Sequence, residues 1–259
     1  MTWTEALLLA VAAAAAGLIN AVAGGGTLVT FPTLLLVGTP SVVANATSTL
    51  ALVIGTFGGV LGYRHQLVQV RVWLKRFIPV SLAGGLIGAV LLTVSGEKIF
   101  SRLVPFLLLF ATVLFLGQGA FRRFAGFGDA AGAAHPHSRT VWVAIVFQFF
   151  VAVYGGYFGA GIGILMLASL GFVGLTDIHE MNALKTVLGS LINLVAAVYF
   201  IFAGLISWPK AGVMTVGALA GYFFGAHFAQ RIPQKHVRRI ITGIGFTISA
   251  VLFYQQFLG

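Results

Sequence analysis

The chain has 259 residues, of which 59% are hydrophobic and only 8% charged, with a mean hydropathy of +1.03. So few charges could not solvate a globular surface of this size, which excludes a soluble domain and leaves an integral membrane protein. The net charge of +10 does not call for nucleic acid, because the basic residues fall in short clusters between apolar runs, as positive-inside sorting requires, and the absence of cysteine removes disulfides, thiolate metal sites and thiol nucleophiles.

The first apolar leg, Glu5 to Ala23, has no basic leader before it and runs directly into a glycine motif that recurs later. It therefore reads as retained structure and not as a secretory signal. As a helix it would be roughly 28 Å long, close to the thickness of a bilayer core. Gly24-Gly25-Gly26 interrupts it, and the chain resumes over Thr27 to Val37, a leg too short to cross. Three full-length apolar segments follow: Ser41 to Tyr63, Trp73 to Val94 and Arg102 to Phe121. A Gly/Ala-rich connector over 122–139 separates these from a second set. That set opens with Thr140 to Phe158, breaks over Gly159 to Gly163 and resumes as the short leg Ile164 to Gly174. It closes with Asp177 to Ala203, Pro209 to Ala229 and Val237 to Phe257. The expected fold is all-α and polytopic, with about eight hydrophobic segments: six full spans and two broken or re-entrant hairpins.

The two sets read as an internal repeat. Displacing the sequence so that Gly24 falls on Gly161 aligns about 80 residues without a gap, with roughly fifteen identities, the weak internal symmetry many transporters show. Gly26 then falls on Gly163, Asn45-Ala46 on Asn182-Ala183, Thr49 on Thr186, Ala83-Gly84 on Ala220-Gly221 and Gly88-Ala89 on Gly225-Ala226. Equivalent loops carry opposite charge bias. Arg64, Arg71, Lys75 and Arg76 in the first half correspond to Lys210 alone, whereas Lys98 and Arg102 with Glu97 correspond to Arg231, Lys235, Arg238 and Arg239. This predicts inverted repeats, 1–121 and 140–259, joined by a cytoplasmic connector, with both termini on the opposite side of the membrane.

Polar residues inside the spans mark the candidate site. Asn182, Lys185, Thr186 and Asn193 share one helical face with Gly189, and Asn45, Ser48, Thr49 and Thr56 occupy the equivalent positions. Lys185, whose counterpart is Ser48, lies roughly 12 Å into its helix, too deep to snorkel easily, and a lysine in hydrocarbon costs roughly 2.5 to 3.5 kcal/mol unless it faces a partner or cavity. A helix restarting at each glycine break offers backbone N–H groups and the positive end of its dipole, which favour an anion. Gly24, Gly25, Gly26, Thr27, Gly161 and Gly163 are therefore candidate ligands alongside the two stripes. All five acids, Glu5, Glu97, Asp129, Asp177 and Glu180, lie at or outside segment edges, unlike a sodium site or carboxylate proton relay. The pairs Gly55/Gly59, Gly84/Gly88 and Gly221/Gly225 read as helix-packing positions, and Asp177 as a helix cap. His227 sits four residues before Arg231 and reads as interfacial; His135 and His137 lack companion ligands for a metal. No nucleophile elbow, phosphate loop or metalloprotease motif is present, so the residues support no enzyme and no cofactor.

Gly24-Gly25-Gly26-Thr27 with Pro32 and Asn45-Ala46-Thr47-Ser48, then Asn182-Ala183-Leu184-Lys185 with Asn193, Gly204, Trp208, Gly221 and Gly225, resemble the two signature halves of the TauE/SafE sulfite exporter family. The resemblance covers nearly the whole chain. It implies a bacterial inner-membrane permease exporting sulfite, sulfoacetate or a related organosulfonate by alternating access. The alternatives are a passive anion channel and a non-transporting membrane scaffold. The expected partners are a small anion and the lipid bilayer, with no nucleic acid; pairing into a homodimer is left open by the residues.

Overall fold

The computed structural model describes residues 1–22, 25–62, 64–124, 138–172, 175, 177–228 and 234–257. These form helices α1 (Trp3–Val22), α2 (Thr27–Leu36), α3 (Ser41–Gly62), α4 (Arg64–Gln69), α5 (Arg71–Phe124), α6 (Ser138–Tyr157), α7 (Ile162–Phe172), α8 (Ile178–Phe202), α9 (Trp208–Phe228) and α10 (Gln234–Phe257), with no strand among the described residues. Among the described residues four helical stretches are long and apolar enough to cross a membrane, Trp3–Ala21, Arg71–Gly117, His179–Phe202 and Arg239–Phe257, and Thr27–Leu36, Ser41–Phe57 and Val141–Tyr157 are shorter apolar helices. Arg71–Gly117 covers 47 residues, about 70 Å of helix and twice what one crossing needs, so α5 holds two spans. The protein is an all-α, polytopic membrane protein. Large apolar side chains such as Leu7, Val11, Phe150, Phe223 and Val251 point outward, as a lipid-facing surface requires.

The two spans of α5 meet at Gly96, whose φ of 67° and ψ of 175° only glycine adopts without strain. The chain reverses there. Gly88 and Ser95 before it and Phe100 after it all meet Tyr157: an added Cβ at Gly88 would lie 2.7 Å from the Tyr157 nitrogen, Ser95 Oγ is 3.3 Å from the Tyr157 hydroxyl, and the Phe100 and Tyr157 rings are 5.5 Å apart. The link expected between the spans ending at Val94 and starting at Arg102 is thus helical apart from Gly96, because nothing after that glycine breaks the ladder. Helix also takes up the ends of the expected 122–139 connector, and the short α4 occupies the expected link before Trp73.

Helix ends are capped by charge. Thr2 and Glu5 form a reciprocal box at the start of α1, with Thr2 N donating to Glu5 Oε2 (3.0 Å) and Glu5 N to Thr2 Oγ1 (3.2 Å). Asp177 caps α8 as expected, accepting from the amides of His179 (2.7 Å) and Glu180 (3.3 Å). Glu97, just past the reversal, caps a different helix: its carboxylate accepts from the amides of Ser41 (2.5 Å) and Val42 (2.9 Å) at the start of α3. On the same corner Lys210 Nζ donates to Thr39 Oγ1 (2.7 Å).

Two of the three glycine pairs expected to pack helices do so, and Gly55 of the third does; the surroundings of Gly59 lie outside the described residues. Gly221 and Gly225 of α9 lie on Ala14, Leu18 and Ala21 of α1, while Gly84 and Gly88 of α5 lie on Phe149, Ala152, Val153 and Tyr157 of α6. These two contacts are equivalent under the repeat, as are α3 on α9 and α8 on α5. Bulk is exchanged between the latter two: Gly55 of α3 receives the ring of Tyr222 from α9, whereas at the equivalent contact Gly85 of α5 receives Ile192 from α8.

Direction follows from particular contacts. The start of α3 meets the turn that follows α8, where Ser207 N donates to Thr47 Oγ1 (3.1 Å), and the start of α8 meets the chain just past the end of α3, with Met181 and Leu184 in one core cluster with Val70, between α4 and α5. The equivalent helices α3 and α8 therefore run antiparallel. The second arm of α5 runs antiparallel to α10, since Phe106 packs on Phe253 (4.8 Å) and Phe257 (6.1 Å) while Thr112 meets Gly245. The start and end of α5, which carry Arg71, Lys75, Arg76, Arg122 and Arg123 in sequence, and the starts of α6 and α10, which carry Arg139 and Lys235, Arg238 and Arg239, consequently lie toward one face. Lys98, Arg102 and Lys210 lie toward the other.

Candidate functional site

Both helix breaks lie against the second arm of α5. A Cβ added at Gly25 would run into the Phe115 ring, and one added at Gly161 would sit 3.7 Å from the Ala111 carbonyl oxygen and 3.8 Å from a Leu114 methyl. Ala111 and Phe115 are one turn apart, about 6 Å along the helix, so the breaks from opposite halves approach one another inside the bundle. A buried aromatic cluster joins them. Phe31 of α2 packs edge-on against Phe158 at the second break (5.3 Å) and Phe100 (6.3 Å).

The first break is occupied by the protein's own polar groups. Gly26 N donates to Asn20 Oδ1 (2.7 Å), and Asn20 Nδ2 donates to the Tyr222 hydroxyl (2.9 Å). The Gly26 carbonyl accepts from the amides of Val29 (2.9 Å) and Thr30 (3.1 Å) and from Thr30 Oγ1 (3.3 Å), and Thr30 Oγ1 pairs with Ser48 Oγ (2.6 Å). The Gly26 amide, expected to be open to a ligand, is thus taken by a side chain six residues earlier. Thr27 is half-buried at the start of α2, and Gly24 lies outside the described residues.

The second break is built differently. Gly159 and Gly161 both adopt φ of 78°, a left-handed conformation that lets the chain turn sharply from α6 into α7. The Tyr154 hydroxyl holds the loop by donating to the Ala160 carbonyl (2.7 Å). The amides of Ile162 and Ile164 turn back onto the carbonyls of Gly159 (3.4 Å) and Gly161 (3.0 Å); among the described residues, those of Gly161 and Gly163 donate to no backbone carbonyl. Three members of the polar stripes converge here. The aliphatic stem of Lys185 passes over Gly163, with Cδ 3.2 Å from where a Cβ would be; Asn193 Oδ1 lies 3.7 Å from the same point at Gly159; and Asn45 Nδ2 donates to the Tyr157 carbonyl (3.1 Å). Lys185 and Asn193 reach from α8 in the same half, Asn45 from α3 in the other.

The remaining stripe residues are placed less directly. Thr49 Oγ1 donates to the Asn45 carbonyl one turn back on its own helix (2.8 Å), and Asn182 and Thr186 are half-buried on the face of α8 that carries Lys185. Asn20, Tyr154, Tyr157 and Tyr222 were not singled out from sequence. Asn20 alone carried a signal, as an isolated amide inside an apolar leg.

A multi-span helical bundle with paired interrupted helices and polar groups gathered at the interruptions defines a class: a membrane transporter. Comparison with known proteins places it more narrowly. The family model described as sulfite exporter TauE/SafE matches residues 9–252, and the chain belongs to that family. A probable membrane transporter protein of Haemophilus influenzae is 28% identical over 93% of this chain and 91% of its own length. Probable membrane transporter protein ORF9 of a Sinorhizobium species is 27% identical over 93% and 89%, and YfcA of Escherichia coli, also a probable membrane transporter protein, is 26% identical over 93% and 87%. No solved structure gives a significant match. The family and these relatives are those of a transporter and not of an enzyme.

Proposed function

We propose that the protein is a secondary transporter that exports a small sulfur-containing anion, sulfite or an organosulfonate, across the inner membrane of a bacterium by alternating access. The carrying observation is the passage of Lys185 over Gly163, which brings an ammonium-bearing side chain to a helix start within the bundle. Lys185 supplies positive charge, the start of α7 supplies amides and its dipole, and Asn45 and Asn193 supply neutral hydrogen bonds. Thr49, Asn182 and Thr186 line the approach on α3 and α8, while Ser48, fully buried, ties α3 to Thr30 of α2; Gly25, Gly26 and Thr27 form the equivalent break of the other half, whose Gly26 amide is held by Asn20. The antiparallel course of α3 and α8 supports inverted repeats, and rocking one half against the other around the breaks would expose the anion to each side in turn. The basic face is the cytoplasmic one by the positive-inside rule, which puts both termini outside the cytoplasm. The sulfur chemistry rests on the family description.

The test is a panel of sulfite, sulfoacetate, sulfate and a simple carboxylate, measured by thermal shift on the purified protein and on Lys185→Ala. Stabilisation by one anion class that is lost in the variant is the expected result, followed by saturable flux against a gradient in proteoliposomes. An equal response from both proteins would remove the site, and flux that never exceeds equilibration would make it a channel.

A further inference from the structure

The side chain of Asn45 is fixed in an unusual way. It is 1% exposed, and its Nδ2 donates to the main-chain carbonyl of Tyr157. A carbonyl only accepts, so the amide can face Tyr157 only through its nitrogen, and its oxygen must point elsewhere. That oxygen, Asn45 Oδ1, is buried and has no hydrogen-bond partner among the described residues. Gln148 Oε1 is also buried and unpaired, but its amide faces the Ser81 hydroxyl, which can donate or accept, so its orientation is not dictated. An unpaired buried acceptor is unfavourable and rare. The amide that carries this one is tied to Tyr157, two residues before Gly159, and Asn193 presents a second amide oxygen at Gly159.

From this arrangement we propose that Asn45 Oδ1 is a specificity determinant that accepts a hydrogen bond from the transported anion. The site then takes anions that carry a donor, a hydroxyl, an ammonium or an acidic O–H, beside their negative group. A bare anion of the same size and charge would set its own oxygens against the amide oxygen and leave the acceptor unpaired. Discrimination thus comes as much from rejecting the donor-free anion as from holding the other. The inference rests on the reading that the second break holds an anion.

The test compares ethanesulfonate with hydroxyethanesulfonate, two monoanions that differ by one hydroxyl, in calorimetric titrations of the full-length purified protein. Wild type should bind the hydroxylated anion about tenfold tighter or more, the range for pairing a buried acceptor. In Asn45→Ala the two affinities should fall within about twofold of each other, with thermal melting used to confirm that the variant is folded. Equal binding of both probes by wild type overturns the inference and leaves the anion site standing, as does a preference that survives in folded Asn45→Ala. Binding of neither overturns this inference and the transport reading together.

Discussion

Asn20 is the residue on which the first helix break depends, and its replacement by leucine gives a prediction with a built-in control. In Asn20→Leu the Gly26 amide loses its Asn20 acceptor, and the Tyr222 hydroxyl loses its Asn20 donor. Orphaning a buried amide costs about 1 to 3 kcal/mol. The Asn20–Tyr222 bond, between helices inside a membrane, is worth about 0.6 kcal/mol and at most about 1.7. Asn20→Leu should therefore destabilise by about 2 to 4 kcal/mol, and Tyr222→Phe by roughly 1 or less. The decisive measurement is the double variant, followed by equilibrium unfolding in detergent micelles. Once Asn20 is gone the hydroxyl has no partner among the described residues, so adding Tyr222→Phe should cost nothing further or recover stability. If Tyr222→Phe costs the same with Asn20 present as with it absent, the two side chains do not act together and the account of the first break is wrong.

Two further outcomes follow from the backbone. Gly221→Ala drives a methyl group into the Ala14 carbonyl of the neighbouring helix and should cost about 1 to 3 kcal/mol in the same unfolding assay, whereas Gly212→Ala on the same helix meets nothing within 4 Å and should be neutral or gain up to about 1 kcal/mol from helix propensity. Gly96→Ala also meets nothing within 4 Å, so any loss there comes from the backbone alone; it should lower stability by about 1 to 3 kcal/mol, and an unchanged melting temperature would mean the reversal does not need glycine.

The span pattern was legible because hydrocarbon imposes long apolar runs and glycine clusters interrupt them, and both signals are local. The tight packing of Gly84, Gly88, Gly221 and Gly225 was legible for the same reason, through a four-residue spacing that a helix turns into a flat strip. Lys185 could be seen to need a polar setting because lysine is so unfavourable in lipid. What was hidden depends on through-space neighbours. That Asn20 would fill the first break could not be read from a stretch of alanines, since its partners are six and some two hundred residues away. Glu97 looked like an ordinary loop acid because the α3 amides it caps precede it by more than fifty residues. The link after Gly96 was expected to be a loop from its charges, but charged residues at a membrane surface are compatible with helix, and only the glycine marks the reversal. The repeat itself suggested two equivalent breaks, while the structure shows one occupied by Asn20 and the other met by Lys185 and Asn193.

The exchanged bulk at the two equivalent helix crossings has a consequence for engineering. A protein made from two copies of the first half would bring Gly55 against Gly85 at both crossings and leave a pair of holes. Two copies of the second half would force Tyr222 onto Ile192 twice and pry the bundle apart. Neither half as it stands could pair with a second copy of itself at these crossings, which makes the two halves complementary and obligatory to each other.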